Sequence, residues 1–163
     1  MAEPQRAHAD GPLLAGGRIL VVEARYYDAI GAMLYEGAAA AIAAAGAAME
    51  TIGVPGALEI PAAIAIALEA ADRARRPYDG AVALGCVVRG ETYHFEIVAG
   101  ESARALMNLS AAGRLAIGNG ILTVDTLAQA EERADPNRGD KGGDAARAAL
   151  TLAALKRKVS ASS

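Results

Sequence analysis

One histidine stands where the chain could do acid–base chemistry. The stretch GCVVRGETYHFEIVAGES, residues 85–102, puts His94 just past an apolar run and a glycine-flanked turn, where a buried strand gives way to a helix. The only other histidine, His8, lies in a polar N-terminal stretch. An imidazole has an unperturbed pKa of roughly 6.5, so His94 could move protons at neutral pH. A histidine at a helix start can equally be structural, and its position alone leaves both readings open. Beside it stand Arg89, Glu91, Thr92 and Tyr93: a cation, a carboxylate, a hydroxyl and an aromatic in one turn.

The same turn nearly matches a nucleotide phosphate loop. The glycines and Thr92 fit, but Glu91 stands where a lysine must hold the β and γ phosphates, and a carboxylate would repel them. A nucleoside triphosphatase is therefore excluded. A glycine turn running into a helix N-terminus still offers free N–H groups and a favourable dipole to a single phosphate. The alternative is an ordinary turn capped by Thr92. No G-x-G-x-x-G follows the first strand, which argues against a dinucleotide site. One histidine and one cysteine in the folded part are too few for a His/Cys metal site. Cys86 lies in an apolar run and reads as a small hydrophobe, with a catalytic thiol as the less favoured reading. Glu59 opens a helix and could be a dipole partner or an acceptor for a ligand N–H. By the simplest reading Arg133 is surface charge and Lys141 a loop cation.

These residues need a frame to bring them together. RILVVEA (18–24), METIGVPG (49–56), YDGAVALGCVV (78–88) and RLAIGNGILTV (114–124) read as strands. Helices are expected over 27–47, 59–75, 93–112, 126–134 and 144–158, with Pro61 harmless in a first turn. Residues 135–143 read as a loop. Alternating strands and helices with near-continuous apolar strands predict a parallel sheet covered on both faces. Ligands of such sheets bind beyond the carboxyl ends of the strands. Four segments fall there: Glu23–Tyr27, Pro55–Glu59, Gly85–His94 and Ile117–Thr123. They hold Tyr26, Tyr27, Gly56, Glu59, the Arg89–His94 turn and Gly118–Asn119–Gly120, none of which is natural core. The fold rules thus place His94 at the rim of one polar pocket.

The chain's 163 residues suit one domain. Residues 1–16 are expected to be a tail without structure of its own, 17–158 a single domain, and 159–163 a C-terminal tail. Composition is 53% hydrophobic but only 4% aromatic, so small side chains favour close helix–sheet packing. A net charge of −3 argues against nucleic acid as a partner. Arg73, Arg75 and Arg76 read as the polar end of a helix. Glu36, Glu50, Glu59 and Glu69 interrupt the alanine-rich segments, and no apolar signal core is visible, so a soluble, cytoplasmic protein with no membrane association is expected.

Five collinear pieces together resemble the lumazine synthase family: VVEARYYDAI (21–30), VPGALEIP (54–61), LGCVVRGETYHFEIV (84–98), GNGILTVDTLAQAEERA (118–134) and DKGGDAARAAL (140–150). The resemblance implies a flavodoxin-like three-layer α/β/α sandwich around a four-stranded parallel sheet. It implies condensation of 5-amino-6-(D-ribitylamino)uracil with 3,4-dihydroxy-2-butanone 4-phosphate to 6,7-dimethyl-8-ribityllumazine, with release of phosphate and water, in riboflavin biosynthesis. No cofactor or metal is implied. A homo-oligomeric pentamer is implied, with decamers and sixty-subunit shells as further assemblies and riboflavin synthase as a candidate partner. By the same resemblance His94 is the proton-transfer histidine. Arg133 grips phosphate, with Glu91 and Thr92 in the turn that cradles it. Tyr26 stacks on the pyrimidine, and Ala57, Leu58 and Glu59 hold the pyrimidine and ribityl chain. Cys86, Val87 and Val88 meet the uracil edge through their backbone, and Arg89 and Lys141 lie near the pocket. Tyr26 replaces the family's frequent Phe or Trp, and Asn119 replaces an aromatic near the pyrimidine. The competing readings are a non-catalytic lumazine- or flavin-binding relative and a flavodoxin-like electron carrier.

Overall fold

The structure, a computed structural model, describes residues 12–162. His8, residues 1–11 of the expected tail, and Ser163 lie outside the described residues. The chain runs β1 (Arg18–Glu23), α1 (Asp28–Ala44), β2 (Ala48–Gly53), α2 (Ile60–Arg73), β3 (Gly80–Val88), α3 (His94–Gly113), β4 (Ile117–Val124), α4 (Leu127–Ala134) and α5 (Lys141–Ala161), with a short 3-10 turn at Ala57–Glu59. The four strands form one all-parallel sheet in the order β2-β1-β3-β4.

Side chains alternate across each strand, and both faces are covered. Ile19 and Val21 of β1, with Val82 and Leu84 of β3, pack against Leu34 and Ile42 of α1 and Ala146 and Leu150 of α5. Leu20, Val22, Ala81 and Ala83 point the other way, onto Ile60 and Ile64 of α2 and Leu106 of α3. A strand buried on both faces has no polar side, which is why the buried stretch ILVV of β1 and all of GAVALGCVV are apolar. The result is the expected flavodoxin-like three-layer sandwich.

From β1 the chain moves one way to β2 through α1, then the other way to β3 through α2 on the opposite face. Reversing direction and face together keeps the crossovers of one hand. The reversal leaves a crevice between the carboxyl ends of β1 and β3, where ligands of this architecture sit.

Small residues set the packing around α5. A Cβ on Gly118 would stand 1.9 Å from the Ala145 carbonyl oxygen, and one on Gly142 2.0 Å from that of Leu34. The backbones of β4, α5 and α1 therefore meet with no room for side chains. This accounts for two of the glycines that read as loop or pocket residues.

Several boundaries differ from expectation. The tail ends earlier than residue 16: Leu14 is fully buried in the core, and its N–H donates to the Ala45 carbonyl. The last helix begins at Lys141, not 144, because Asp140 adopts a left-handed φ of 48° and its side chain accepts from the Gly143 N–H. That helix also continues to Ala161, into the expected C-terminal tail. β2 stops at Gly53, and most of its residues are exposed. Thr92 does not cap α3: the N-cap is Tyr93, with no side-chain cap bond.

Candidate active site

A cleft of about 520 Å³ opens at the β1/β3 crevice. Three strand ends and one helix start build it. After β1 come Tyr26 and Tyr27, their rings edge to face at 5.1 Å and 70°. Tyr26 is 76% exposed and presents its ring to the opening, whereas Tyr27 is half-buried and burial raises its phenol pKa. After β2, Pro55 and Gly56 lead into the 3-10 turn, where Ala57 is buried and Leu58 and Glu59 face outward. Pro61, without an N–H to lose, then opens α2.

The third wall is the end of β3. Its first six residues are buried, and Cys86, Val87 and Val88 are half-buried as the strand leaves the sandwich and lines the cleft. Burial pushes the Cys86 thiol up to about 11, so it is protonated at neutral pH and a poor nucleophile. The small-hydrophobe reading of Cys86 accords with that. His94, the first residue of α3, closes the cleft with Val98 one turn further on. The strand-end rule thus brought Tyr26, Ala57, Leu58, Glu59, Cys86, Val87, Val88 and His94 into one place.

Other candidates stand apart from this cleft. Asn119 lies inside β4, not beyond its end, and its Oδ1 accepts the Ile121 N–H at 2.9 Å. Arg133 is exposed in the last turn of α4 and donates to the Gln129 carbonyl at 3.1 Å. Lys141 pairs with Asp144 at 3.2 Å. Glu91 and Thr92 are exposed in the turn before His94 but do not line the cleft. Arg89, also exposed, is bound to Asp125 and Glu96. Within one chain, then, the cleft has an aromatic platform, a carboxylate and an imidazole, while Arg133 lies elsewhere. Among the described residues no group of three or more His, Cys, Asp or Glu side chains could hold a metal ion.

Of the other lining residues, Tyr27, Pro55 and Gly56 fell in the expected strand-end segments without a binding role of their own, and only Val98 lay outside those segments. Val98 was within reach, since a helix puts residue i+4 on the same face as His94.

A doubly wound domain with a cleft at its switch point and a histidine at the first residue of the bordering helix defines a class: a flavodoxin-like α/β protein with a small-molecule cleft. The family model of 6,7-dimethyl-8-ribityllumazine synthase matches residues 16–157. A 6,7-dimethyl-8-ribityllumazine synthase of Methylocella silvestris is 65% identical over 162 residues, 99% of each chain. That of Afipia carboxidovorans is 58% identical over 160 residues, 98% of each, and that of Azorhizobium caulinodans 61% over 148 residues, 91% of each. The chain belongs to the 6,7-dimethyl-8-ribityllumazine synthase family, and it is an enzyme of the synthase type.

Proposed function

We propose that the protein condenses 5-amino-6-(D-ribitylamino)uracil with 3,4-dihydroxy-2-butanone 4-phosphate to 6,7-dimethyl-8-ribityllumazine, phosphate and water, in riboflavin biosynthesis. The observation that carries the reading is the cleft itself. It sets His94 beside an aromatic platform, a carboxylate and the end of a strand at the switch point. Tyr26 stacks on the flat pyrimidine. Glu59 accepts from the polar groups of the uracil and its ribityl chain. Cys86, Val87 and Val88 offer backbone groups to the uracil edge, reading its N–H and C=O pattern.

The chemistry asks for protons in sequence. The 5-amine of the uracil attacks the ketone, and water leaves to give an imine. Proton loss from the adjacent carbon expels phosphate and leaves an enol, which tautomerises to a ketone. The ribitylamino nitrogen attacks that ketone, and loss of a second water closes the ring. Each step needs a proton delivered or removed, and His94 serves as that shuttle. Pre-alignment of the two substrates supplies a further part of the rate. The departing phosphate needs a cation and N–H donors. The turn at Glu91 and Thr92 supplies donors at the start of α3, and Arg133 supplies a guanidinium.

Arg133 and Asn119 come to this cleft from a neighbouring subunit, in a homo-oligomer built on a pentameric ring. Two features support this. Neither residue lines its own chain's cleft. In addition, α3 buries only Ser102 and Leu106 among its 20 residues, while Met107 on α3 and Ile66 on α2 are 65% and 69% exposed. Apolar surface of this kind fits a subunit contact that would cover it. A single domain, with Leu14 in its core and α5 running to Ala161, carries the cleft, and no helix among the described residues is long and apolar enough to cross a membrane.

Mixing the two substrates with the protein tests the reading. Lumazine fluorescence and stoichiometric phosphate release are the expected result. Tight binding of lumazine or flavin without turnover would refute it in favour of a carrier.

A further inference from the structure

We propose that Arg89 is a positioning residue for His94, through a guanidinium fork that ties the start of α3 to the turn before α4. The proposal rests on the reading of His94 as proton shuttle. The start of α3 has little else to hold it. Tyr93 at its N-cap makes no side-chain cap bond, and residues 89–94 are all exposed.

Arg89 provides the anchor. Its backbone N–H donates to the Val124 carbonyl at 2.8 Å. Its Nε donates to Asp125 Oδ1 at 2.8 Å, and its Nη1 to Glu96 Oε1 at 2.5 Å. The guanidinium carbon also lies 4.3 Å from the centroid of the Phe95 ring. Phe95 and Glu96 are the two residues after His94. One side chain thus closes the segment from Gly90 to His94 into a loop, held at Arg89 on one end and at Phe95 and Glu96 on the other.

The far arm of the fork reaches the element that carries Arg133. The Asp125 N–H donates to Gln129 Oε1 at 2.7 Å, and Gln129 completes a capping box with Thr126 at the start of α4. Arg133 donates to the Gln129 carbonyl. The fork therefore fixes the His94 turn against the frame of the neighbouring helix.

Planarity decides why arginine suits this place. A guanidinium can bond two carboxylates in its plane while its face lies on an aromatic ring, which an ammonium cannot do. The Arg89 hydrogen bond also holds the Glu96 carboxyl below the usual range, so that arm stays charged near neutrality. Exposed ion pairs contribute little to global stability. Arg89→Ala should therefore still fold, and the effect of the fork should appear in local order and turnover.

The test measures kcat, both KM values and amide hydrogen exchange over residues 90–97 in wild type, Arg89→Ala, Arg89→Lys and Glu96→Gln. A small displacement of a reacting group costs one or two orders of magnitude in rate, so Arg89→Ala should lower kcat about tenfold. The KM for the uracil should stay within about twofold, and exchange at residues 91–96 should quicken. Arg89→Lys, able to hold one carboxylate, should fall between wild type and Arg89→Ala. Glu96→Gln should reproduce part of the loss and decides the matter if Arg89→Ala does not fold. Full kcat in Arg89→Ala or Glu96→Gln beside an active wild type overturns the positioning role alone. So does a rise in the uracil KM in place of the kcat loss. A wild type without turnover instead overturns the reaction reading, and the role of Arg89 in it; unchanged exchange would then overturn the clamp as well.

Discussion

A site shared between subunits makes a prediction that a site within one chain cannot. His94 lines the cleft of its own chain, and Arg133 lies outside it on α4. In a head-to-tail ring each cleft would take His94 from one subunit and Arg133 from the next. His94→Ala should lower turnover by roughly 10² or less, within the range of general acid–base contributions. Arg133→Ala removes charge-assisted bonds worth about 1.5–3 kcal/mol, and should raise the KM for the butanone phosphate far more than that for the uracil. Both parents are therefore poor at low phosphate substrate. When the two variants are unfolded together in equal amounts and refolded, each interface draws its two faces at random. The chance that an intact His94 meets an intact Arg133 is one half times one half, so about a quarter of the sites are whole, whatever the ring size. Lumazine formation should recover toward about a quarter of wild type. The assay is the initial rate by fluorescence, with subunit mixing verified by native mass. A mixed sample that merely averages its parents would place the whole site in one chain and refute the reasoning.

Three further outcomes follow from packing and charge. Gly118→Ala would drive a Cβ into the Ala145 carbonyl at 1.9 Å, and should cost about 1–3 kcal/mol, read as a lower melting temperature; an unchanged Tm would mean that α5 moves off β4 freely. Burial raises the Asp144 pKa, but hydrogen bonds from Arg147 at 2.6 Å and Lys141 at 3.2 Å outweigh it and hold the carboxyl below its usual range. A depressed carboxylate stabilises the fold above its unfolded pKa of about 4 and stops doing so as pH falls through its folded value. The Tm gap between wild type and Arg147→Met should therefore be full at pH 7 and close below about pH 4, and a gap independent of pH would contradict this. Cys86, with its thiol at about 11, should resist alkylation at pH 7, and Cys86→Ala should keep turnover within about threefold; rapid labelling with loss of activity would argue for a catalytic thiol.

The legible parts of the fold were those that a single segment determines. β1 and β3 show as unbroken apolar runs because both their faces are covered. Pro61 marks the start of α2 because only a first turn tolerates its missing N–H. Most of the cleft followed from strand ends alone, since backbone direction puts those residues on one edge of the sheet. The start of α5 was not legible. Lys141–Gly142–Gly143 looks like a loop by propensity, yet Gly142 is small because Leu34 of α1 lies against it. Leu14 was lost in the same way: a Pro- and Gly-rich stretch reads as a tail until the end of α1 provides carbonyl acceptors for it. Gly118 and Gly120 suggested a pocket, but Gly118 serves contact with α5. In each case the deciding partner is far away in sequence, and local pattern carries no signal of it.

The same limit applies one level up. Nothing in the sequence around Arg133 distinguishes a phosphate ligand from surface charge, and the fold of one chain leaves it exposed at the end of α4. In the proposed shared site its role would depend on a second copy of the chain, as that of Gly142 depends on Leu34. The surfaces of α2 and α3 point the same way. Ile66, Met107 and Ile97 keep large apolar areas in water in the isolated subunit, area that a subunit contact would cover. A small domain with short loops cannot enclose a two-substrate cleft by itself. In the proposed ring it would gain a wall, a cation and cover for those side chains from one contact, so the assembly and the chemistry should fail together. Charged substitution at Met107 should reduce both the oligomer and the turnover in proportion; full turnover in a monomer would separate them and refute the shared site.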